Sequence, residues 1–444
     1  MKHSFTIQHH MNAMKLWISL FLIAFSLPCL HAQYRSFTNQ DGQTITAVVL
    51  DKTHDSVTLR TKDRKKYDYP IAKLSPEDQK FLANWSPGID GRELPTSISQ
   101  RCSKEDRAAR LAAAGGNEQT EEAVLKALRW MKSTQAPDGS WGSSDRAAMT
   151  GLGLLAYLGH CETPLSEEFG ESCLIAMAYL INLGMKNDGK LAEMTTDKSW
   201  PYEHAIAVQA LAESTAFCQK LNITVPNLKE VTQKAGQFLI DNQHPNGGWA
   251  YLYEKQETAH TDMSITGWHL HALKSMEQTD LEFANLAICA TKGLKFAKSL
   301  QSGDGEFGYR SMIPLNGMRY FTLTGAGVSC FQLWDGGSDK IVKNGIQYII
   351  ANTKLKWGEP ECDLYGHYFE SMALRMHGGE AWETYNRLMR DEILRNQNPN
   401  GIWKIPEGKL RAVAPIYQTN EFYRTVLCTL ILEVYHRYQP LKPQ

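Results

Sequence analysis

Hydrophobic and polar positions follow two different periods along this chain. Between residues 33 and 85 they alternate in short runs, the pattern of half-buried strands. Thr44–Leu50, Ser56–Arg60 and Tyr67–Ile71 are the predicted strands. Turn residues Asp41-Gly42, Thr53-His54-Asp55 and Lys62-Asp63-Arg64 separate them. Ser75-Pro76-Glu77-Asp78 then opens a short helix, with Ser75 as N-cap and Pro76 at the first helical position. From residue 119 to 440 the period becomes helical, and amphipathic helices alternate with nearly all-apolar ones. The amphipathic set is Leu125–Gln135, Cys173–Leu183, Thr232–Gln243, Lys292–Gln301, Ile341–Ala351 and Asn386–Gln397. The apolar set is Ala148–Leu158, His204–Phe217, Met263–Met276, Phe321–Trp334, Tyr365–Met376 and Glu421–Tyr438.

Four amphipathic helices end alike. A Gln precedes an Asp/Asn-Gly turn, and an aromatic follows it. These structural repeat positions are Gln135, Gly139 and Trp141; Gln243, Gly247 and Trp249; Gln301, Gly305 and Phe307; and Gln397, Gly401 and Trp403. Two weaker copies, at Asn187-Asp188-Gly189 and Trp357-Gly358, bring the recurrence to about 45–55 residues. The glycine supplies the backbone a tight turn needs, the Gln can bond backbone amides there, and the aromatic closes the gap between helix pairs. Small residues on the apolar helices (Gly151, Gly153, Gly267, Gly325, Gly327) let them approach closely. The pattern predicts outer amphipathic and inner apolar helices in about six pairs, closing into a ring with a central cavity.

Ahead of these regions, Leu16–Leu27 is a short apolar run preceded by Lys15 and closed by Leu30-His31-Ala32. That is the form of a secretory signal peptide over residues 1–32, too short to span a bilayer. The mature chain is therefore expected to be exported, periplasmic or secreted, with no transmembrane segment. Export permits disulfides, and Cys161–Cys173 is the pair suggested by spacing. Residues 86–118, rich in turn formers and then charge, read as a linker.

Composition changes this picture little. The chain of 444 residues carries 47 Lys+Arg against 48 Asp+Glu, so its formal charge is −1, without the basic surplus of a nucleic-acid binder. Its 11 Trp and 33 Gly stand partly at the repeat positions and are to that extent architectural.

Two resemblances follow. Arg35, Phe37, Thr38, Gly42, Ala47, Val57, Leu59, Asp63, Pro70, Leu74, Ser75, Asp78 and Phe81-Leu82 resemble the Sla-homology (SHD) type domain. That resemblance implies a small SH3-like β barrel over residues 33–85 that binds a protein or peptide partner. The helical repeat over residues 119–440 resembles those of squalene-hopene cyclases and protein prenyltransferase β subunits, which implies a mainly α protein with an (α/α)6 toroid. Tyr365-Gly366-His367-Tyr368-Phe369-Glu370-Ser371 with Gly378-Gly379-Glu380-Ala381-Trp382 is similar to a subfamily of exported bacterial toroid proteins.

The chemistry of those enzymes does not come with the repeat. The clustered acid of squalene cyclases, Asp-x-Asp-Asp, is absent, and Asp335-Gly336-Gly337-Ser338-Asp339 has the wrong spacing. The Asp-x-Cys zinc pair of prenyltransferases is absent too. Cys362 and Asp363 stand in the opposite order, with His367 one turn on and His436 remote, a weak metal set. The Cys-Gly-Glu-Gln of thioester toroids is missing, and Ser264 lacks a nucleophile-elbow context. Weak catalytic candidates are Asp262, Glu203 and Glu370. Tyr202, His204, Trp268, Tyr365, Tyr368 and Tyr423 are expected to line the cavity, and at most one of His269 and His271 faces it. The leading expectation is an exported, non-catalytic binding or scaffold protein, without cofactor, whose cavity takes a hydrophobic or peptide ligand. The alternatives are a terpenoid cyclase or prenyltransferase-type enzyme with a non-standard site, zinc included, and a polysaccharide-active (α/α)6 enzyme.

Overall fold

The computed structural model describes residues 35–61, 65–83, 85, 101–102, 104–310, 323–335, 340–358, 362–406 and 419–441. The signal-peptide reading of residues 1–32, the Lys62-Asp63-Arg64 turn and Phe321 lie outside the described residues. Among the described residues no helix is long and apolar enough to cross a membrane.

Strands β1 (Arg35–Thr38), β2 (Thr44–Lys52), β3 (Ser56–Thr61) and β4 (Lys66–Pro70) form an antiparallel sheet in sequence order. Helix α1 (Pro76–Ala83) packs on it. The SHD-like motif residues do two jobs. Phe37, Ala47, Val57, Leu59, Leu74 and Leu82 are the buried core. Asp78 joins the first strand to the helix. It accepts from Arg35 Nη2 at 2.7 Å, Thr38 N at 2.7 Å and the Ser75 hydroxyl at 2.8 Å. Burial alone would raise the Asp78 pKa, but these donors outweigh it and hold the carboxyl below its ordinary value.

The rest is mainly α and toroid-like. After α2 (Lys104–Ala113) come outer and inner helices in alternation. The outer ones are α3 (Glu118–Thr134), α5 (Gly170–Lys186), α7 (Leu228–Asp241), α9 (Leu286–Lys298), α11 (Lys340–Asn352) and α13 (Gly379–Arg395). The inner ones are α4 (Arg146–Gly159), α6 (Trp200–Lys220), α8 (Met263–Glu277), α10 (Thr324–Asp335), α12 (Leu364–His377) and α14 (Glu421–Leu432), the last continued by α15 (Val434–Arg437). Each inner helix packs on the next, and α14 packs back on α4. Close approach explains two of the inner glycines: a Cβ at Gly325 would lie 2.5 Å from Glu370 N, and one at Gly151 3.1 Å from Ile206 O.

The repeat residues connect one pair to the next. Each repeat Gln bonds carbonyls rather than N–H groups, donating from Nε2 to its own turn and to the following outer helix. Gln135 reaches Gly139 O (2.8 Å) and Ser172 O (3.1 Å); Gln243 reaches Gly247 O (2.7 Å) and Cys289 O (2.9 Å); Gln301 reaches Gly305 O (3.2 Å) and Ile341 O (2.9 Å). Gln397 reaches Gly401 O (3.1 Å) and, across 274 residues, Ala123 O on α3 (2.8 Å). The last turn thus docks on the first outer helix with the same bonds as the three other Gln seams. The tryptophans cap their own helices: Trp141, Trp249 and Trp403 donate Nε1–H to Met131 O, Leu239 O and Ile393 O, each ten residues upstream.

Two expectations are corrected at the end of the ring where the inner helices terminate. Cys161 is bonded to Cys102, with Cα atoms 5.1 Å apart, and Cys173 is a buried free thiol. The spacing argument failed because it treated residues 86–118 as linker throughout. Instead Arg101 and α2 dock against the ring. Arg101 Nη1 and Arg437 Nη2 both meet Glu213, at 3.2 and 2.7 Å, and Arg107 donates to His160 O at 3.0 Å.

Glu433 is enclosed in the same region, and a Cβ at Gly159 would collide with its carboxylate. Burial pushes its pKa up to about 8, against the opposing pull of Arg437, His160 and Arg101 and with support from Glu121. A carboxyl raised from about 4.5 in the unfolded chain binds more protons when folded, so its contribution to stability is lost as pH rises from about 4.5 to about 8. The Glu433→Gln variant is expected to lack this loss. Melting temperature against pH should therefore be flatter for the variant, with its advantage largest near pH 8; parallel curves would refute the assignment.

Candidate functional site

The N-termini of the inner helices gather at the opposite rim. Several start on side-chain caps, which satisfy otherwise orphaned N–H groups. Asp262 Oδ1 accepts from Ile265 N at 3.0 Å, Asp363 Oδ1 from Tyr365 N at 3.1 Å, and Asn420 Oδ1 from Tyr423 N at 2.9 Å. The rim therefore concentrates carboxylates where helix dipoles favour negative charge.

Around Asp262, which is fully buried, the side chains form a hydrogen-bonded circuit. The Ser264 hydroxyl donates to Asp262 Oδ1 at 2.6 Å and meets the Tyr202 hydroxyl at 2.5 Å. Tyr202 approaches the Tyr251 hydroxyl at 3.4 Å, and Tyr251 meets Tyr309 at 2.9 Å. His260 Nε2 closes the circuit, 3.1 Å from both the Tyr309 hydroxyl and Asp262 Oδ2. Burial first, then the Asp262 charge, raises the pKa of Tyr202, Tyr251 and Tyr309 above the phenol range, so all three remain protonated. Tyr251 sits on strained backbone: Leu252 and Tyr253 have φ of 58° and 55°, a conformation costing of order 1 kcal/mol per non-glycine residue. The Tyr253 hydroxyl, 2.8 Å from His269 Nε2, and the Trp200 ring, 4.7 Å from that of Tyr253, hold it there.

Tyr365 enters the same site from α12. Its side chain is buried, and its hydroxyl has no hydrogen-bond partner among the described residues. Burial, then Tyr423, Asp262 and Asp363, raises its pKa.

Helices α8 and α12 are separated in the ring by α10, so side chains joining them cross the interior. Trp268 stacks on Tyr368 with centroids 5.7 Å apart and meets Phe369 edge-on at 5.1 Å. The contact of Arg437 with Glu213 crosses the interior again at the far end. Aromatic rings and then paired charges occupy the axis beneath the rim.

The predicted site residues thus separate. Tyr202, Tyr365, Tyr423 and Asp262 belong to the rim, while Trp268 and Tyr368 lie on the axis. His204 faces α7 instead: Nδ1 accepts from Leu191 N at 3.0 Å and Nε2 meets Ala235 O at 3.1 Å. Burial lowers its pKa to about 3, which keeps it neutral. His269 stacks on Trp249 at 4.7 Å, and His271 bonds Ser329 at 2.9 Å.

The weak catalytic carboxylates do not converge. Glu203 accepts from Ala147 N at 3.2 Å, with its pKa raised to about 7 by burial and then Asp145. Glu370 is tied to Thr353 at 2.5 Å and His367 at 3.2 Å. The proposed metal set is also dispersed. Both ring nitrogens of His367 are engaged, by Tyr385 and Lys354 O. His436 lies 3.3 Å from Glu121 at the far end, whereas Asp363 caps α12 at the rim. Among the described residues no group of three or more metal-ligating side chains comes together.

Sequence reasoning missed Tyr251, Tyr309 and His260, and it weighed Ser264 only as a nucleophile. A signal existed: Tyr251 and Tyr309 each stand two residues after a repeat aromatic, Trp249 and Phe307.

No protein-family model matches the sequence, and no curated protein matches it. Solved structures do. The chain is similar in fold to an inactive variant of the alpha-1,6-mannanase GH76A of Salegentibacter sp. HEL1_6 in complex with alpha-1,6-mannotriose. The TM-score is 0.52 at 10% identity, over 72% of this chain and 99% of that one. The type II terpene cyclase MstE from Scytonema matches at a TM-score of 0.45 and 10% identity, over 71% of this chain and 97% of that one. At such identity the likeness is one of fold: a mainly α, toroid-like architecture.

Proposed function

We propose that this chain is an exported, non-catalytic binding or scaffold protein, built as an SH3-like β module on an (α/α)6 toroid of six helix pairs. The observation that carries this reading is the filling of the toroid. Trp268, Tyr368 and Phe369 span the axis, and Arg437 with Glu213 spans it again further down. A chain-length apolar substrate has no room there, and Asp262, Glu203 and Glu370 are each committed to different partners. What is left for a ligand is the rim around Asp262, where Tyr202, Tyr251 and Tyr309 are half-buried. The β module would take a peptide or protein partner along the β4 edge, where Tyr67 is exposed.

Native mass spectrometry of the protein recovered after export tests this. A small-molecule adduct is expected in the native protein and its loss in Tyr251→Ala, with the adduct's mass unchanged on prolonged incubation. A tightly bound metal, or conversion of the adduct to a product, would refute the reading in favour of an enzyme.

A further inference from the structure

The ionic environment of the rim narrows the ligand class. We propose that the rim binds an organic ammonium group, seated between the Asp262 carboxylate and the faces of the surrounding tyrosines. This rests on the rim being the ligand site.

Asp262 is enclosed, and the ionic partner found for it is the ring of His260, 3.1 Å from Oδ2. A second carboxylate, Asp363, caps the helix that carries Tyr365. The buried end of the site therefore gathers two carboxyl side chains, with no lysine or arginine paired to Asp262 among the described residues. A carboxylate charge is costly to bury alone and is stabilised by a cation.

Ring geometry adds the second requirement. Tyr202 and Tyr251 have centroids 6.0 Å apart, Tyr251 and His260 4.8 Å, and His260 and Tyr309 5.4 Å, a continuous aromatic wall beside the carboxylate. Ring faces attract alkylammonium and quaternary ammonium groups within about 6 Å. The Tyr365 hydroxyl, buried at the same place without a hydrogen-bond partner among the described residues, offers an oxygen acceptor to an N–H or polarised C–H donor. An anion would meet the carboxylates unfavourably. A neutral polyol would bring no cation to the carboxyl groups and would not use the ring faces. A divalent metal ion would need several anionic oxygens converging within about 2–2.6 Å, and the phenols remain protonated.

The test is calorimetric titration of the full chain with choline and with its neutral carbon isostere, 3,3-dimethylbutan-1-ol. Choline is expected to bind at least tenfold more tightly than the isostere. Asp262→Asn, which preserves the helix cap because Asn caps as well as Asp, should weaken choline at least tenfold and abolish that preference. Tyr251→Leu should weaken choline severalfold with the circular dichroism spectrum unchanged. Equal binding of the two probes overturns the ammonium proposal while leaving the rim as a ligand site. Unaltered choline binding by Asp262→Asn overturns it as well. Failure of both probes at about 10 mM, where even weak sites are populated, overturns the ammonium proposal and removes support for the rim.

Discussion

Replacing both Cys102 and Cys161 by serine is expected to lower the stability of the chain by about 4 kcal/mol. The bridge closes a loop of 59 residues, and constraint of the unfolded chain by a loop of that length is worth about 4 kcal/mol in the chain-entropy account. The folded state adds a second reason. The bridge joins Arg101 and α2 to the end of α4. Without it the docked segment is held by polar contacts such as Arg101 with Glu213 and Arg107 with Glu121, both at 3.2 Å. Those groups are buried or nearly so, and separating them would leave Glu213 with Arg437 as its remaining cation at that end. Thermal unfolding followed with and without reductant measures this. The native chain should lose stability on reduction, and the double-serine variant should start low and show no response to reductant. An unchanged melting temperature in the variant would show that α2 is ornamental to the ring.

Much of the ring was legible because its repeat is local. A Gln, an Asn or Asp, a Gly and an aromatic lie within about seven residues of each other in each full copy, and each has one structural task that sequence spacing reveals. The mainly α class and the alternation of outer and inner helices follow from periodicity alone, since an inner helix such as α4 is apolar on every side. The site was less legible for a geometric reason. Tyr202, Asp262 and Tyr365 come from three inner helices, and periodicity says which face of a helix is buried without saying what lies opposite it. His204 shows the limit: it sits beside Tyr202 in sequence yet turns toward α7. The disulfide failed differently. Residues 104–113 are rich in charge and carry one large apolar side chain, Leu111, so little in their composition marks them as docked. Arg107 reaches His160 O, 53 residues on, and the neighbouring Arg101 reaches Glu213, 112 residues on.

Closure of the ring can be separated from mere stacking of repeats by comparing glycines at different seams. At Gly305, φ is +101°, and an added Cβ would stand 2.3 Å from Asn344 O on the next outer helix. Gly401 at the last seam has φ of +96°, and its Cβ would stand 2.4 Å from Lys126 O on the first outer helix. Both positions combine a backbone conformation that L-residues avoid with a carbonyl that belongs to a helix and cannot retreat alone. Gly305→Ala and Gly401→Ala are each expected to cost about 3 kcal/mol or more, and Gly358→Ala, where nothing lies within 4 Å, less than about 0.5 kcal/mol. Denaturant unfolding with a common m-value measures the three. In an open array the last turn would face solvent, and Gly401→Ala would carry only the backbone cost of its positive φ, about 1–2 kcal/mol, short of the cost of Gly305→Ala. In a closed ring it must behave like Gly305→Ala, because the same two atoms, a Cβ and a helix carbonyl, compete for one place at both seams. Gln397→Ala extends the comparison without backbone strain. It removes the bonds to Gly401 O and Ala123 O together, at about 1 kcal/mol for each carbonyl left without its donor. Its effect should match that of Gln243→Ala at an internal seam if the first and last repeats are joined as the others are.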